Sequence, residues 1–177
     1  MKRQLEQVAE FHRAFNMPIL KPYEKAEACR EILRIKLLKE ELSELLEAVV
    51  SGDIVHIAKE SIDCQYVLLG TFLEFGWEWE DKPCFSYPTK EQIVELLAQV
   101  IEDVDAITND DDLFDIAYMI KRVQNTFGIS RYQVSCFDEV HRSNMSKLDE
   151  NGRPVYREDG KVLKSALYSP ADLSFLT

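Results

Sequence analysis

The chain has 177 residues, of which 46% are hydrophobic and 30% charged, and its formal net charge is −11 at pH 7. This balance is typical of one globular domain with a substantial core. The acidic charge argues against nonspecific nucleic-acid binding, which depends on clustered Lys and Arg. It does not exclude an anionic small substrate, provided that cations bridge the two.

The N-terminus and the cysteines indicate a cytoplasmic protein. The first residues are charged and lack a continuous apolar run, so we expect no signal peptide. No stretch approaches the ~20 apolar residues of a membrane span, and we expect no membrane association. The four cysteines are scattered without a CxxC pair, which favours reduced thiols.

The N-terminal half predicts three helices in chain order. The first covers residues 3–15 and the second covers 24–50, with apolar residues three and four positions apart. A break at Gly52 follows, and Asp53 is placed to cap a third helix that runs to about Phe75. The second and third helices are therefore expected to form an antiparallel hairpin.

The C-terminal half predicts three more helices, followed by a segment that is not helical. Helices are expected over 89–107, where Thr89 begins a capping box, and over 113–127 and 131–144. The acidic run 109–112 is expected to be a turn.

Beyond residue 148 the sequence predicts a short β-hairpin. The short apolar runs Val155-Tyr156 and Val162-Leu163 flank Glu158-Asp-Gly160, and Asp-Gly tolerates the positive φ of a tight turn.

Four carboxylates of the first hairpin have a regular spacing. Glu41 and Glu44 are three positions apart on one helix, as are Glu60 and Asp63 on the next. Counted from Gly52, Glu44 and Glu60 are equally distant, and so are Glu41 and Asp63. An antiparallel hairpin therefore brings all four acids into one small volume.

These acids lie in partly apolar helix faces, where unpaired carboxylates are costly to bury. A hard cation with oxygen ligands removes that cost, and Mg²⁺ bound by carboxylates and substrate phosphates is the usual solution. A di-iron bundle is disfavoured because its Glu-x-x-His pairs are absent. The alternative is a solvated acidic face with surface salt bridges.

The motifs resemble the all-α nucleoside triphosphate pyrophosphohydrolases, the MazG-like superfamily that includes the phosphoribosyl-ATP pyrophosphohydrolases. The EExxE motif stands as Glu40-Glu41-Leu-Ser-Glu44 and ExxD as Glu60-Ser-Ile-Asp63. The tail FDEVHRSNMSKLDENGRPVYREDGKVLK (137–164) and the segment EFHRAFNMP (10–18) are similar to the phosphoribosyl-ATP pyrophosphohydrolase-like branch.

The resemblance implies hydrolysis of a nucleotide substrate between the α- and β-phosphates, giving a nucleoside monophosphate and pyrophosphate. It implies Mg²⁺ as the cofactor, with Mn²⁺ as a substitute. By the family motif the metal ligands are Glu41, Glu44, Glu60 and Asp63, and Glu40 orients a water or a second metal. The chemistry of the reaction also needs an acid not fully engaged with metal to take the proton of the attacking water, and Glu44 or Glu40 is expected in that role.

The substrate-binding residues come partly from the resemblance and partly from a basic tail. Asn144 and Lys147 match the superfamily's Asn-x-x-Arg/Lys element, and His12 matches a position that contacts the base or sugar. Residues 141–164 hold six basic groups against four acids, which indicates contact with an anion. Arg142 and Lys161 are taken from this stretch.

The expected fold class is all-α, a four-helix-bundle-type MazG-like core with an extra helical hairpin and a short C-terminal β-hairpin. We expect residues 1–177 to form one domain. Its core is 1–76 and 131–148, a helical insertion or degenerate repeat covers 77–130, and a tail covers 149–177.

The extra hairpin bears on the oligomeric state. Lys39–Val49 resembles Lys90–Val100, with Gln92 at the counterpart of Glu41, so the second hairpin is expected to lack a full metal site. If it is a degenerate copy, the chain is a pseudo-dimeric monomer; otherwise a homodimer is expected. Leu/Glu-rich composition alone also explains the similarity.

Two functions of other classes stay open beside the enzyme. One is a nucleotide-binding regulator without turnover, and the other is a helical interaction module whose acids are only surface groups.

Overall fold

The computed structural model describes residues 2–177, and this part of the chain is helical without a β-strand. No described helix is both long enough and apolar enough to cross a membrane. The α-helices are α1 (Lys2–Ala14), α2 (Ala28–Ser51), α3 (Ile54–Phe75), α4 (Lys90–Asp103), α5 (Asp110–Thr126) and α6 (Gln133–Met145), and short 3-10 helices cover Val104–Ala106, Ile129–Tyr132 and Ser174–Leu176.

The turn between α2 and α3 has the predicted residues. Gly52 adopts a left-handed φ of 80° and its N–H donates to the carbonyl of Ala48. The side chain of Asp53 accepts hydrogen bonds from the N–H groups of Val55 and His56, at 2.9 and 3.2 Å. These caps end one helix and start the next within two residues, so the helices fold back on each other.

Two helix starts, those of α2 and α5, differ from the prediction by three residues or more. α2 begins at Ala28 rather than residue 24, because the Glu24 side chain accepts the N–H of Lys21 in a turn where Tyr23 has a positive φ. α5 begins at Asp110, because Asn109 opens a capping box. The acidic run is therefore the first turn of a helix, where the helix dipole favours negative charge.

The predicted C-terminal β-hairpin is wrong. The segment does fold back, and the N–H of Leu163 donates to the carbonyl of Val155 at 2.8 Å. Among residues 2–177, however, the only β pairing is one isolated antiparallel bridge between Tyr156 and Val162. Val155 and Leu163 remain exposed, and without an apolar face to bury, the pairing does not extend into strands.

α3 is the central helix. It packs against α1, α2, α5 and α6, while α4 contacts both α2 and α5. The helices α2, α3, α5 and α4 thus form a closed ring around a continuous apolar core. Core side chains from each of them are fully buried, including Leu42, Leu69, Leu97 and Leu113. This packing holds the acid-bearing parts of α2 and α3 against each other.

Candidate metal centre and adjoining cavity

Three of the four predicted carboxylates converge where α2 and α3 face each other. One carboxylate oxygen each from Glu41, Glu60 and Asp63 lies within 4.8 Å of the others. Glu44 is exposed and lies outside this trio. Partial burial raises the pKa of Glu44, and the nearby Glu60 carboxylate adds to the rise. We call Glu41, Glu60 and Asp63 the acidic trio.

The trio is electrostatically unsatisfied by itself. Burial raises the pKa of Glu41 to about 8, and the neighbouring carboxylates, Asp63 first, add to the rise. Burial also raises the pKa of Asp63. Glu60 is 3% exposed, and its buried Oε2 finds no hydrogen-bond partner in the described part of the chain. Divalent cations such as Mg²⁺ bind carboxylate oxygens, and a cation here would also give the unpaired Oε2 of Glu60 a partner. These residues therefore fit a metal site.

One cationic side chain contacts the trio directly. The Lys59 ammonium lies 2.7 Å from Oε1 of Glu60 and 2.9 Å from Oδ2 of Asp63. Burial lowers the pKa of Lys59, but these two carboxylates outweigh it and the net shift is upward. The His56 ring lies 3.3 Å from the same oxygen of Glu60.

A cavity of about 100 Å³ adjoins the trio. Glu41 and Asp63 line one part of it, together with the predicted residues Asn144, Lys147 and Lys161. His12 and the two arginines of α2, Arg30 and Arg34, form a second part of the lining. The other walls are mainly apolar side chains from α1 and the loop after it, α2, α3 and the tail, namely Phe11, Met17, Leu33, Leu37, Tyr66, Val67 and Val162. The cavity therefore combines acidic, basic and apolar surfaces.

His12 and Arg34 meet at a glycine in α3. Burial, with the charge of Arg34, lowers the pKa of His12 to about 3, so its ring is neutral. Its Nδ1–H donates to the carbonyl of Pro18 at 2.9 Å, which leaves Nε2 as an acceptor. A Cβ on Gly70 would lie 2.7 Å from Nη2 of Arg34 and 2.8 Å from Nε2 of His12, so only glycine leaves room for both.

An ion-pair network with Glu74 and Arg30 holds the Arg34 side chain in place. Arg30 makes a bidentate pair with Glu74 at 2.6 and 2.8 Å, and Nη1 of Arg34 lies 3.6 Å from the same carboxylate. Arg34 also donates to Thr71 and to the carbonyl of Val67. Two arginines thus share one buried carboxylate, and the surplus positive charge lies beside the cavity.

The C-terminal tail covers the cavity. The hydroxyl of Tyr156 donates to the carbonyl of Phe15, and Lys161 pairs with Glu40. Gly160 has a φ of +86°, and a Cβ there would approach Arg30 to 3.1 Å. Tyr156 thus attaches the tail to the end of α1, and Lys161 attaches it to α2.

The structure places the remaining predicted residues differently. Arg142 lies outside the cavity lining, because its guanidinium makes a bidentate pair with Glu139 and donates to the carbonyl of Pro170. Glu40 is engaged with Lys161 rather than with the trio. The sequence reasoning missed Arg34, although it lies seven residues before Glu41 and hence on the same face of α2.

Comparison with known proteins finds a family-model match in the N-terminal part of the chain. Residues 8–83, less than half of the chain, match the family model described as phosphoribosyl-ATP pyrophosphohydrolase. The chain is 26% identical to Uncharacterized protein L479 of Acanthamoeba polyphaga mimivirus, over 80% of this chain and 69% of that protein. No solved structure matches significantly. The segment 8–83, which carries the acidic trio, therefore matches the phosphoribosyl-ATP pyrophosphohydrolase family model, which is consistent with the all-α MazG-like branch that its motifs indicated.

Proposed function

We propose that this protein hydrolyses nucleoside triphosphates between the α- and β-phosphates in the presence of Mg²⁺ or Mn²⁺. The products are a nucleoside monophosphate and pyrophosphate. The observation that carries the proposal is the acidic trio, with its orphaned Glu60 oxygen, beside a cavity that also presents lysines. The family of residues 8–83 supports the same class of reaction.

The protein's own residues divide the work in this proposal. Glu41, Glu60 and Asp63 would hold the cation, which would supply charge neutralisation and lower the pKa of the attacking water. Lys147 and Lys161 bind phosphate oxygens as point charges, and Asn144 orients them. Glu44, which lies outside the trio and is exposed, accepts the proton of the attacking water. Glu40 positions Lys161 through their ion pair.

The apolar part of the cavity takes the base. Phe11, Leu37 and Tyr66 offer flat or aliphatic walls, and the acceptor Nε2 of His12 lies beside the donors of Arg34. An adjacent donor and acceptor match the edge of a nucleobase, which presents both kinds of group. Specificity would then reside where α1, α2 and α3 meet.

Gly70→Ala tests this placement of the base. The added Cβ would displace the ends of Arg34 and His12, so we expect KM for the preferred nucleotide to rise about 10-fold, with a smaller change in kcat. Ala in place of a helical Gly favours the helix by about 1 kcal/mol, which offsets part of the cost of displacing the buried Arg34 and His12 side chains. Steady-state kinetics with urea unfolding as the control gives the answer, and an unchanged KM would contradict the placement.

The helix ring bears on the oligomeric state. α4 and α5 close a ring with α2 and α3 within one chain. We therefore propose a pseudo-dimeric monomer as the active unit. Specific activity that falls on dilution, in step with dissociation of a dimer, would contradict this.

The decisive experiment is a substrate panel with product analysis. Canonical and modified NTPs and dNTPs, together with phosphoribosyl-ATP, are incubated with Mg²⁺ and with EDTA. The proposal expects monophosphate and pyrophosphate with Mg²⁺ and no turnover with EDTA. Nucleoside diphosphate and orthophosphate would contradict it, and tight binding without turnover would favour the regulator.

A further inference from the structure

Lys59 occupies the acidic trio from the same helix that supplies two of its members. Asp63 is one turn further along α3 and Glu60 is the next residue, so the ammonium bridges both carboxylates. Among residues 2–177, Lys59 is the only Lys or Arg with an ion pair within 4 Å of Glu41, Glu60 or Asp63. The direct counter-charge of the metal-free trio is therefore mainly this one side chain.

The ammonium and a divalent cation compete for the same oxygens. Mg²⁺ binds carboxylate oxygens at about 2.0–2.1 Å in a demanding octahedral geometry. The Lys59 Nζ already contacts Oε1 of Glu60 and Oδ2 of Asp63. Two cations sharing these oxygens would lie only a few ångströms apart in a half-buried place, where like charges repel strongly.

The Lys59 side chain is able to move away from the trio into solvent. Its side chain is 38% exposed and carries its charge on a flexible four-carbon stem. Glu60, by contrast, is deeply buried and stays with the trio. Displacement of the ammonium into solvent thus costs little movement of the backbone.

We propose that Lys59 is a built-in counter-ion of the trio, which a divalent cation must displace, and that it thereby sets the metal affinity of the free protein. The inference rests on the proposed function, because it takes the trio as the metal site. Metal binding is then an exchange of one cation for another. The exchange keeps the metal-free fold stable and lowers the affinity for the metal.

The test measures Mn²⁺ binding in the absence of nucleotide, and the concentration of unbound Mn²⁺ is read from its electron paramagnetic resonance signal. Lys59→Met is expected to bind Mn²⁺ about 10-fold more tightly than the wild type, and Lys59→Gln to change in the same direction. Lys121→Met is the matched control, since it also removes a helical lysine that pairs with a carboxylate, at 2.7 Å from Asp81 on another part of the protein. We expect less than about a twofold change there.

Thermal unfolding adds a second readout. Lys59→Met is expected to lower the metal-free Tm and to gain more from saturating Mn²⁺ than the wild type does. Unchanged or weaker Mn²⁺ binding in both Lys59 variants would overturn the inference. Asp63→Asn, made in the wild-type background, separates this failure from a failure of the proposed function. If Asp63→Asn binds Mn²⁺ as tightly as the wild type does, the trio is not the metal site.

Discussion

Glu41→Gln is expected to lower the rate of nucleoside triphosphate hydrolysis by at least about 100-fold. The substitution keeps the size of the side chain but removes one of the three carboxylates whose oxygens lie within 4.8 Å. The cation loses one of its three anionic ligands and binds more weakly, and the phosphates lose the charge that neutralises them. Pyrophosphate release at saturating substrate and Mg²⁺ measures the effect.

The matched control for this prediction is Glu47→Gln. Glu47 is an exposed glutamate on the same helix, outside the trio, and its replacement should leave the rate within about twofold. Equal rates for the two variants would mean that the acids of α2 act only as surface charges, which is the outcome expected of a helical interaction module.

Without metal, Glu41→Gln is expected to flatten the pH dependence of stability. The folded-state pKa of Glu41, about 8, lies above the ordinary value of 4.5. Between these values the folded chain keeps a proton that the unfolded chain has lost. The stabilising contribution of this proton is therefore fully present below about pH 4.5 and is lost as the pH rises through about 8. Its slope is at most about 1.4 kcal/mol per pH unit.

Urea unfolding in EDTA at several values between about pH 5 and pH 9 measures this slope. The wild type should lose stability with rising pH more steeply than the variant. Parallel profiles would contradict the burial of Glu41 among its acidic neighbours.

Glu74→Gln is expected to lower the free energy of unfolding by about 3–5 kcal/mol. The Glu74 side chain is fully buried and balances both Arg30 and Arg34, whose own side chains are largely buried. Its replacement leaves two guanidinium groups without a counter-charge, and an uncompensated buried charge is costly. Urea denaturation at neutral pH measures the loss.

Glu95→Gln is the control for this prediction, since Glu95 is exposed on α4. We expect a change within about 0.5 kcal/mol there. A loss below about 1 kcal/mol for Glu74→Gln would show that the network does not depend on its carboxylate. If Glu74→Gln folds at low temperature, its KM should rise as well, because Arg34 loses the partner that holds it beside the cavity.

The acidic trio could be predicted because it depends on local rules. Helical periodicity sets which acids share a face, and the glycine and aspartate at residues 52 and 53 set the fold-back, so counting along the chain aligns Glu41 with Asp63. The same counting treated Glu44 as an equal fourth member. The structure leaves it outside the trio, because side-chain direction and helix packing, rather than spacing alone, decide the final distance.

The rest of the site depends on contacts between distant parts of the chain. Glu74 is a charged residue near the end of an apolar helix, and only the packing of α2 on α3 reveals it as the partner of Arg30 and Arg34. The tail contacts, such as that of Lys161 with Glu40, join residues more than a hundred positions apart. No local pattern encodes them. The β-hairpin prediction failed for a related reason, since turn signals alone do not supply a second face on which strands could pack.

The most direct test of the whole account is a crystal soaked in Mn²⁺ and examined by anomalous diffraction. The account predicts a peak within about 2.5 Å of a carboxylate oxygen from each of Glu41, Glu60 and Asp63, with the Lys59 ammonium moved away. A map with no peak between α2 and α3, while Mn²⁺ binds elsewhere on the protein, would contradict it.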